Sequence, residues 1–107
     1  MANTYTRLAA LRPANTDETE LYATAASQYI VANLFVCNQD STDRTFRVAI
    51  TDASGAATDE DWIYYDTIAY ANMTYRFKIA LGDGDTVRVR SGTADVISFV
   101  LTGLLIT

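Results

Sequence analysis

The chain has 107 residues, with no histidine and only one each of cysteine, proline and lysine. Without histidine there is no Ser-His-Asp or Cys-His nucleophilic system, no imidazole general base, and almost no route to a transition-metal site. The lone Cys37 rules out an internal disulfide framework and gives no sign of a fold built for an oxidising compartment. Basic charge is also scarce. Seven arginines and one lysine are scattered among thirteen acids, for a net charge of −5, so the clustered cations that bind phosphate are missing and nucleic acid is not an expected partner. Long apolar runs are absent too. The best candidate, Val96 to Ile106, is broken by Ser98, Thr102 and Gly103 and falls short of the ~18 residues that span a bilayer, so no membrane partner is expected. Met-Ala-Asn-Thr-Tyr-Thr-Arg lacks the basic-then-apolar layout of a signal peptide, and synthesis in the cytosol as a soluble protein is the expectation.

Half the residues are hydrophobic, 11% are aromatic, and seven are tyrosine. That is the composition of a globular domain, biased towards residues that suit strands. A chain of this length buries roughly 65% of its unfolded surface, enough for one core. Phe46, Val48 and Ile50 alternate with Thr45, Arg47, Ala49 and Thr51, the period of a half-buried strand. Tyr75, Phe77, Ile79 and Leu81 alternate with Thr74, Arg76, Lys78 and Ala80 in the same way. Ile30 to Cys37 is nearly continuously apolar, as in a strand covered on both faces. Further strands are expected at Glu20–Thr24, Trp62–Asp66, around Val87 and Val89, and from Val96 to Thr102, with Gly103 as a bulge or a break before a final strand. Dense turn clusters separate them, and no long amphipathic helix intervenes. The expected fold is a single all-β domain over residues 1–107. It is an antiparallel β-sandwich, jelly-roll or immunoglobulin-like, of about seven to eight strands with an N-terminal arm over residues 1–15. In that arm Tyr5, Leu8 and Leu11 have roughly helical spacing, but Pro13 ends any helix and the segment is too short to be stable alone, so the arm is expected either to pack against its own sandwich or to reach a neighbour.

Candidate chemistry is thin. Asp59-Glu60-Asp61 has no second acidic element at the spacing a glycosidase needs and reads as solvated loop charge. Gly82-Asp83-Gly84-Asp85 lacks the twelve-residue ligand pattern of a calcium loop and reads as a hairpin turn with glycine at positive φ. Cys37 in its apolar strand reads as a core thiol, and Arg88 and Arg90 read as a solvated strand face. No catalytic, cofactor-binding or metal site is assigned, so the chain is not expected to be an enzyme or to carry a cofactor. The interface candidates are Tyr5, Arg7, Leu8, Leu11 and Arg12 on the arm, together with Trp62 and Tyr64, which point outward if Ile63 and Tyr65 point inward; the other reading of this strand is that one pair fills the core and the other covers the sheet edge.

A series of short motifs adds to this. Asn-Thr-Tyr-Thr-Arg-Leu (Asn3 to Leu8), Glu-Leu-Tyr (Glu20 to Tyr22), Val-Ala-Asn-Leu-Phe-Val-Cys-Asn (Val31 to Asn38) and Thr-Phe-Arg-Val-Ala-Ile (Thr45 to Ile50) follow one another. Tyr-Tyr-Asp-Thr (Tyr64 to Thr67), Gly-Asp-Thr-Val (Gly84 to Val87) and a terminal Ser-Phe-x-Leu-x-Gly ending in Ile-Thr complete the series. In this order the chain resembles small β-sandwich virion proteins of tailed bacteriophages, of the kind that decorate capsids or build tail and fibre attachments. The resemblance implies a virion structural protein assembled in the host bacterial cytoplasm, present in many copies. It also implies association with itself, often as trimers, and docking on a major capsid or tail protein. Capsid decoration (a cement protein) leads this reading, ahead of a tail, baseplate or fibre component. A carbohydrate- or receptor-binding module using Trp62 as a stacking platform is the competing class, and a small hydrolase using the loop acids is a third.

Overall fold

The computed structural model describes residues 3–52 and 55–107. Among these, eight strands and no helix are found: β1 (Asn3–Leu11), β2 (Thr19–Ala23), β3 (Tyr29–Asn38), β4 (Arg44–Thr51), β5 (Trp62–Ala69), β6 (Thr74–Leu81), β7 (Thr86–Ser91) and β8 (Ile97–Ile106). They form two four-stranded antiparallel sheets. Sheet I runs β1-β8-β3-β6 and sheet II runs β2-β7-β4-β5. That interleaving, in which only β4 and β5 are neighbours both in sequence and in a sheet, is the double Greek key of a jelly roll. It decides between the two sandwich types left open by the sequence.

Strand alternation places the core. On β3, Ile30, Ala32, Leu34 and Val36 are buried, and on β8 so are Ile97, Phe99 and Leu101. Facing them across the sandwich are Phe46 and Val48 of β4 and Val87 and Val89 of β7. Phe46 is the pivot, with its ring 6.0–6.4 Å from those of Phe77, Tyr64 and Phe99. Fully burying side chains of this size contributes about 1.5–3 kcal/mol each. On β6 the two-faced reading holds, with Ile79 buried, Phe77 packed against the core, and Arg76 and Lys78 exposed. Turns close on their own polar groups. The buried Asn38 donates to the carbonyls of Thr42 (3.0 Å) and Ala69 (2.8 Å) and accepts from the Asp40 amide (2.9 Å). Gly84 takes a φ of 78°, but the turn it serves is not the expected hairpin: it carries the chain from β6 in sheet I to β7 in sheet II, and Gly82, which is not at positive φ, donates its amide to the Asp85 carboxylate at 2.8 Å.

Three expectations are corrected. The N-terminal segment is not an arm outside the strand pattern: β1 is an edge strand of sheet I, paired with β8 from Asn3↔Ile106 to Leu11↔Phe99, so it packs against its own sandwich. Tyr5 and Arg7 point out and Leu8 faces the core by plain alternation, and the register shift between Arg7 and Ala9 brings Leu11 to the core side as well. Gly103 is neither bulge nor break. β8 passes through it in regular register with β3, and a Cβ there would lie 2.4 Å from the Val31 carbonyl oxygen. Glycine is needed for close approach between strands. Finally, Cys37 alternates out of the core and lies half-buried on the outer side of sheet I.

Candidate docking face

With Ile30, Ala32, Leu34 and Val36 buried, the intervening residues of β3 must point out of the sandwich. Register then assembles the outer face of sheet I row by row. Asn3, Ile106 and Tyr29 lie side by side, and Tyr5, Leu104, Val31 and Ala80 form the next row. Arg7, Thr102, Asn33 and Lys78 follow, and then Ala10, Val100, Phe35 and Arg76. Among the described residues no element covers them. Tyr5 is 83% exposed, Val31 57% and Tyr29 49%. Tyr5, Val31 and Leu104 with their neighbours Thr6, Asn33, Thr102 and Gly103 line a shallow, open and largely apolar depression of about 640 Å³. The continuous apolar run of β3 is therefore not covered on both faces within this chain. Its inner half builds the core and its outer half is presented.

The charge on this sheet is of one sign. None of the thirteen acids falls in β1, β3, β6 or β8, whereas Arg7, Arg76 and Lys78 all lie on the outer face. Among the described residues the ion pairs join Arg44 to Asp40, Arg47 to Asp66 and Arg88 to Glu18, so these three cations have no acid partner there.

The aromatic cluster lies on the other sheet and is arranged differently from expectation. β5 shifts register twice against β4, once on each side of Val48, and Asp66 adopts a φ of 47°. The result puts Tyr64 inward, with its ring 4.2 Å from that of Phe77, and leaves Ile63 and Tyr65 exposed. Trp62 is half-buried and meets the Tyr65 ring nearly edge-on at 75°. The Arg47 guanidinium lies 3.9 Å over the Tyr65 ring and 5.7 Å from the Trp62 ring centre. It also makes a two-pronged pair with the Asp66 carboxylate, at 2.7 and 3.0 Å. Those hydrogen bonds hold the Asp66 carboxyl below the usual carboxylate range, with the charges of Arg47 and Arg90 adding to the effect. One face of Tyr65 is thus occupied by Arg47, and the two rings are not coplanar.

No protein-family model matches the chain, and no curated protein is significantly similar to it. Its candidate site therefore rests on geometry.

Tyr5 and Arg7 are on the outer face of sheet I, and Leu8 and Leu11 pack against the core. Arg12 is exposed, but its Nε donates to the Asp95 carbonyl at 2.9 Å, with a second, shorter bond from Nη2, so it ties the end of β1 to the β7–β8 turn. The loop acids serve the loops. Asp61 accepts from both the amide and the hydroxyl of Thr58 at 2.9 Å, and Asp83 accepts from the Ser27 amide at 2.9 Å. Sequence reasoning missed Tyr29, Val31, Phe35, Leu104 and Ile106. The signal for them was the density of apolar residues in β3 and β8.

Proposed function

We propose that this jelly-roll domain is a non-enzymatic virion structural protein of a tailed phage. In this reading it is a capsid decoration protein that docks on the assembled particle through the outer face of sheet I. One observation carries the reading: a central sheet face, rich in Tyr, Val, Leu and Phe and free of acids, that the described residues leave uncovered. Exposed apolar patches of this kind mark sites of protein association, and large aromatic side chains dominate the energetics of such contacts. The order of strand and turn motifs, which resembles small phage virion proteins, points the same way. A protein that binds only the assembled lattice stabilises it by mass action, roughly 2.7 kcal/mol when present at a hundred times its dissociation constant. A tail or fibre attachment would use the same face on a different lattice.

The test is co-sedimentation with heads and with tails of the phage that encodes the chain, together with thermal melting of the heads. Wild type should bind heads and raise their melting temperature. Val31→Asp, at the centre of the face, should stay folded and lose binding, while Tyr65→Ala on the opposite sheet should bind as wild type does. Unimpaired head binding by Val31→Asp removes the docking assignment, and binding to tails alone replaces decoration with a tail role.

A further inference from the structure

A sandwich of two open sheets has four edge strands, each a row of unpaired backbone groups that can recruit another chain. Three of the four carry protective features. β2 is five residues long and shifts register between Glu20 and Tyr22. β5 is interrupted by two register shifts and by Asp66 at positive φ. β6 is regular but lines its outer side with exposed Arg76 and Lys78. The fourth is different. The irregularity of β1 lies between Arg7 and Ala9, so Asn3 to Arg7 pairs with β8 without interruption. Over that stretch the side chains on both faces are exposed, Thr4 and Thr6 on one and Tyr5 on the other. It has no acid, proline or glycine, and Thr-Tyr-Thr has high strand propensity.

We infer that this half of β1 pairs with the same segment of a second copy, antiparallel about a two-fold axis at Tyr5, to join two copies of sheet I into one continuous sheet. The register follows from side-chain chemistry. An axis at Tyr5 keeps both outer faces on the same side, because only an even register preserves the two-residue alternation. It sets Tyr5 against Tyr5 of the second copy, Thr4 against Thr6, and Asn3 against Arg7. Aromatic pairs and Thr–Thr pairs are among the favourable cross-strand combinations, and no like charges oppose. An axis at Arg7 would place two guanidinium groups face to face, and an axis at Thr6 would run the pairing into the register shift beyond Arg7. The pairing also makes the apolar rows through Tyr5, Leu104 and Val31 continuous across both copies. It does not depend on what the outer face binds.

Sedimentation equilibrium on three forms of the full chain tests the register. Wild type should show a reversible monomer–dimer equilibrium, with hydrogen exchange of the Asn3–Arg7 amides slowing as concentration rises. Thr4→Lys/Thr6→Lys places like charges across the axis at both Thr positions and should weaken the dimer roughly tenfold or more. Thr4→Lys/Thr6→Glu places opposite charges there and should keep the dimer. Both Thr residues are exposed, and matching circular dichroism will show that the fold is unchanged. A wild type that is monomeric throughout overturns the inference. So does a trimer, a dimer indifferent to the double lysine change, or equal weakening by both double variants.

Discussion

Phe46 and Phe35 lie on opposite sides of a sheet surface, and truncating each to alanine separates stability from docking. Phe46 is 1% exposed and is surrounded by the rings of Tyr64, Phe77 and Phe99. Removing a buried phenylalanine side chain costs about 3–5 kcal/mol in lost transfer energy and residual cavity. The aromatic pairs, each adding about 0.5–1.5 kcal/mol, push Phe46→Ala towards the upper end. Against a total of about 5–15 kcal/mol, that is a third of the stability or more. It corresponds to a fall of roughly 15–30 °C in melting temperature for a domain of this size. Phe35 lies on the outer face of sheet I, half-buried between Val100 and Arg76. Its truncation returns part of one side chain's burial and opens no internal cavity, so about 1 kcal/mol is expected. Urea titration read by the single Trp62 and by circular dichroism measures both, with a lower midpoint at unchanged slope as the signature of lost stability. Phe35→Ala should weaken particle binding more than it weakens the fold. If Phe35→Ala proves as destabilising as Phe46→Ala, the outer face is core and the docking argument collapses.

Three further outcomes follow from single features. Asp66→Asn removes the partner of Arg47 while keeping a residue tolerant of positive φ. Because the folded carboxyl is held below 3.8, its contribution is complete above that pH and is lost as pH falls through the depressed value. The melting-temperature gap to wild type should therefore close in strong acid, and a gap that stays constant down to pH 2 counts against the pair. The hydroxyls of Thr24 and Thr86 are buried without a hydrogen-bond partner among the described residues. Thr86→Val should thus be neutral or stabilising by up to about 1 kcal/mol in urea titration, and a clear loss would reveal a hidden partner. Deleting residues 1–11 removes β1 and with it the packing of Leu8 and Leu11, at an expected cost of about 3–5 kcal/mol. A truncated chain as stable as wild type would show that β1 is dispensable to the sandwich.

What could be read from the sequence depended on whether two-residue alternation ran unbroken. β3 and β6 lie where the alternation and the turn residues placed them, because neither strand carries a register shift against its neighbour. β1 and β5 misled for one shared reason: an inserted residue changes which side the next residue faces. In β1 the shift after Arg7 turned the Tyr5, Leu8 and Leu11 spacing into an imitation of a helix. In β5 the two shifts reversed the expected orientation of Tyr64 and Tyr65. Strand order was beyond reach, since β8 pairs with β1 and β3 and nothing local specifies so distant a partner. The docking face was visible as an excess of apolar residues in β3, but a sequence does not distinguish a strand covered by its own chain from one left uncovered.

The separation of charge between the sheets has a kinetic consequence. With every acid outside sheet I and three cations on its outer surface, a molecule of net charge −5 is electrically lopsided. Such a particle carries a dipole that rotates it in the field of any acidic object, turning the basic side forward before contact. Orientation of this kind raises encounter rates and fades as ionic strength shortens the reach of the field. Low salt should thus speed arrival on an acidic lattice more than it slows departure, although the protein's overall charge alone would predict repulsion.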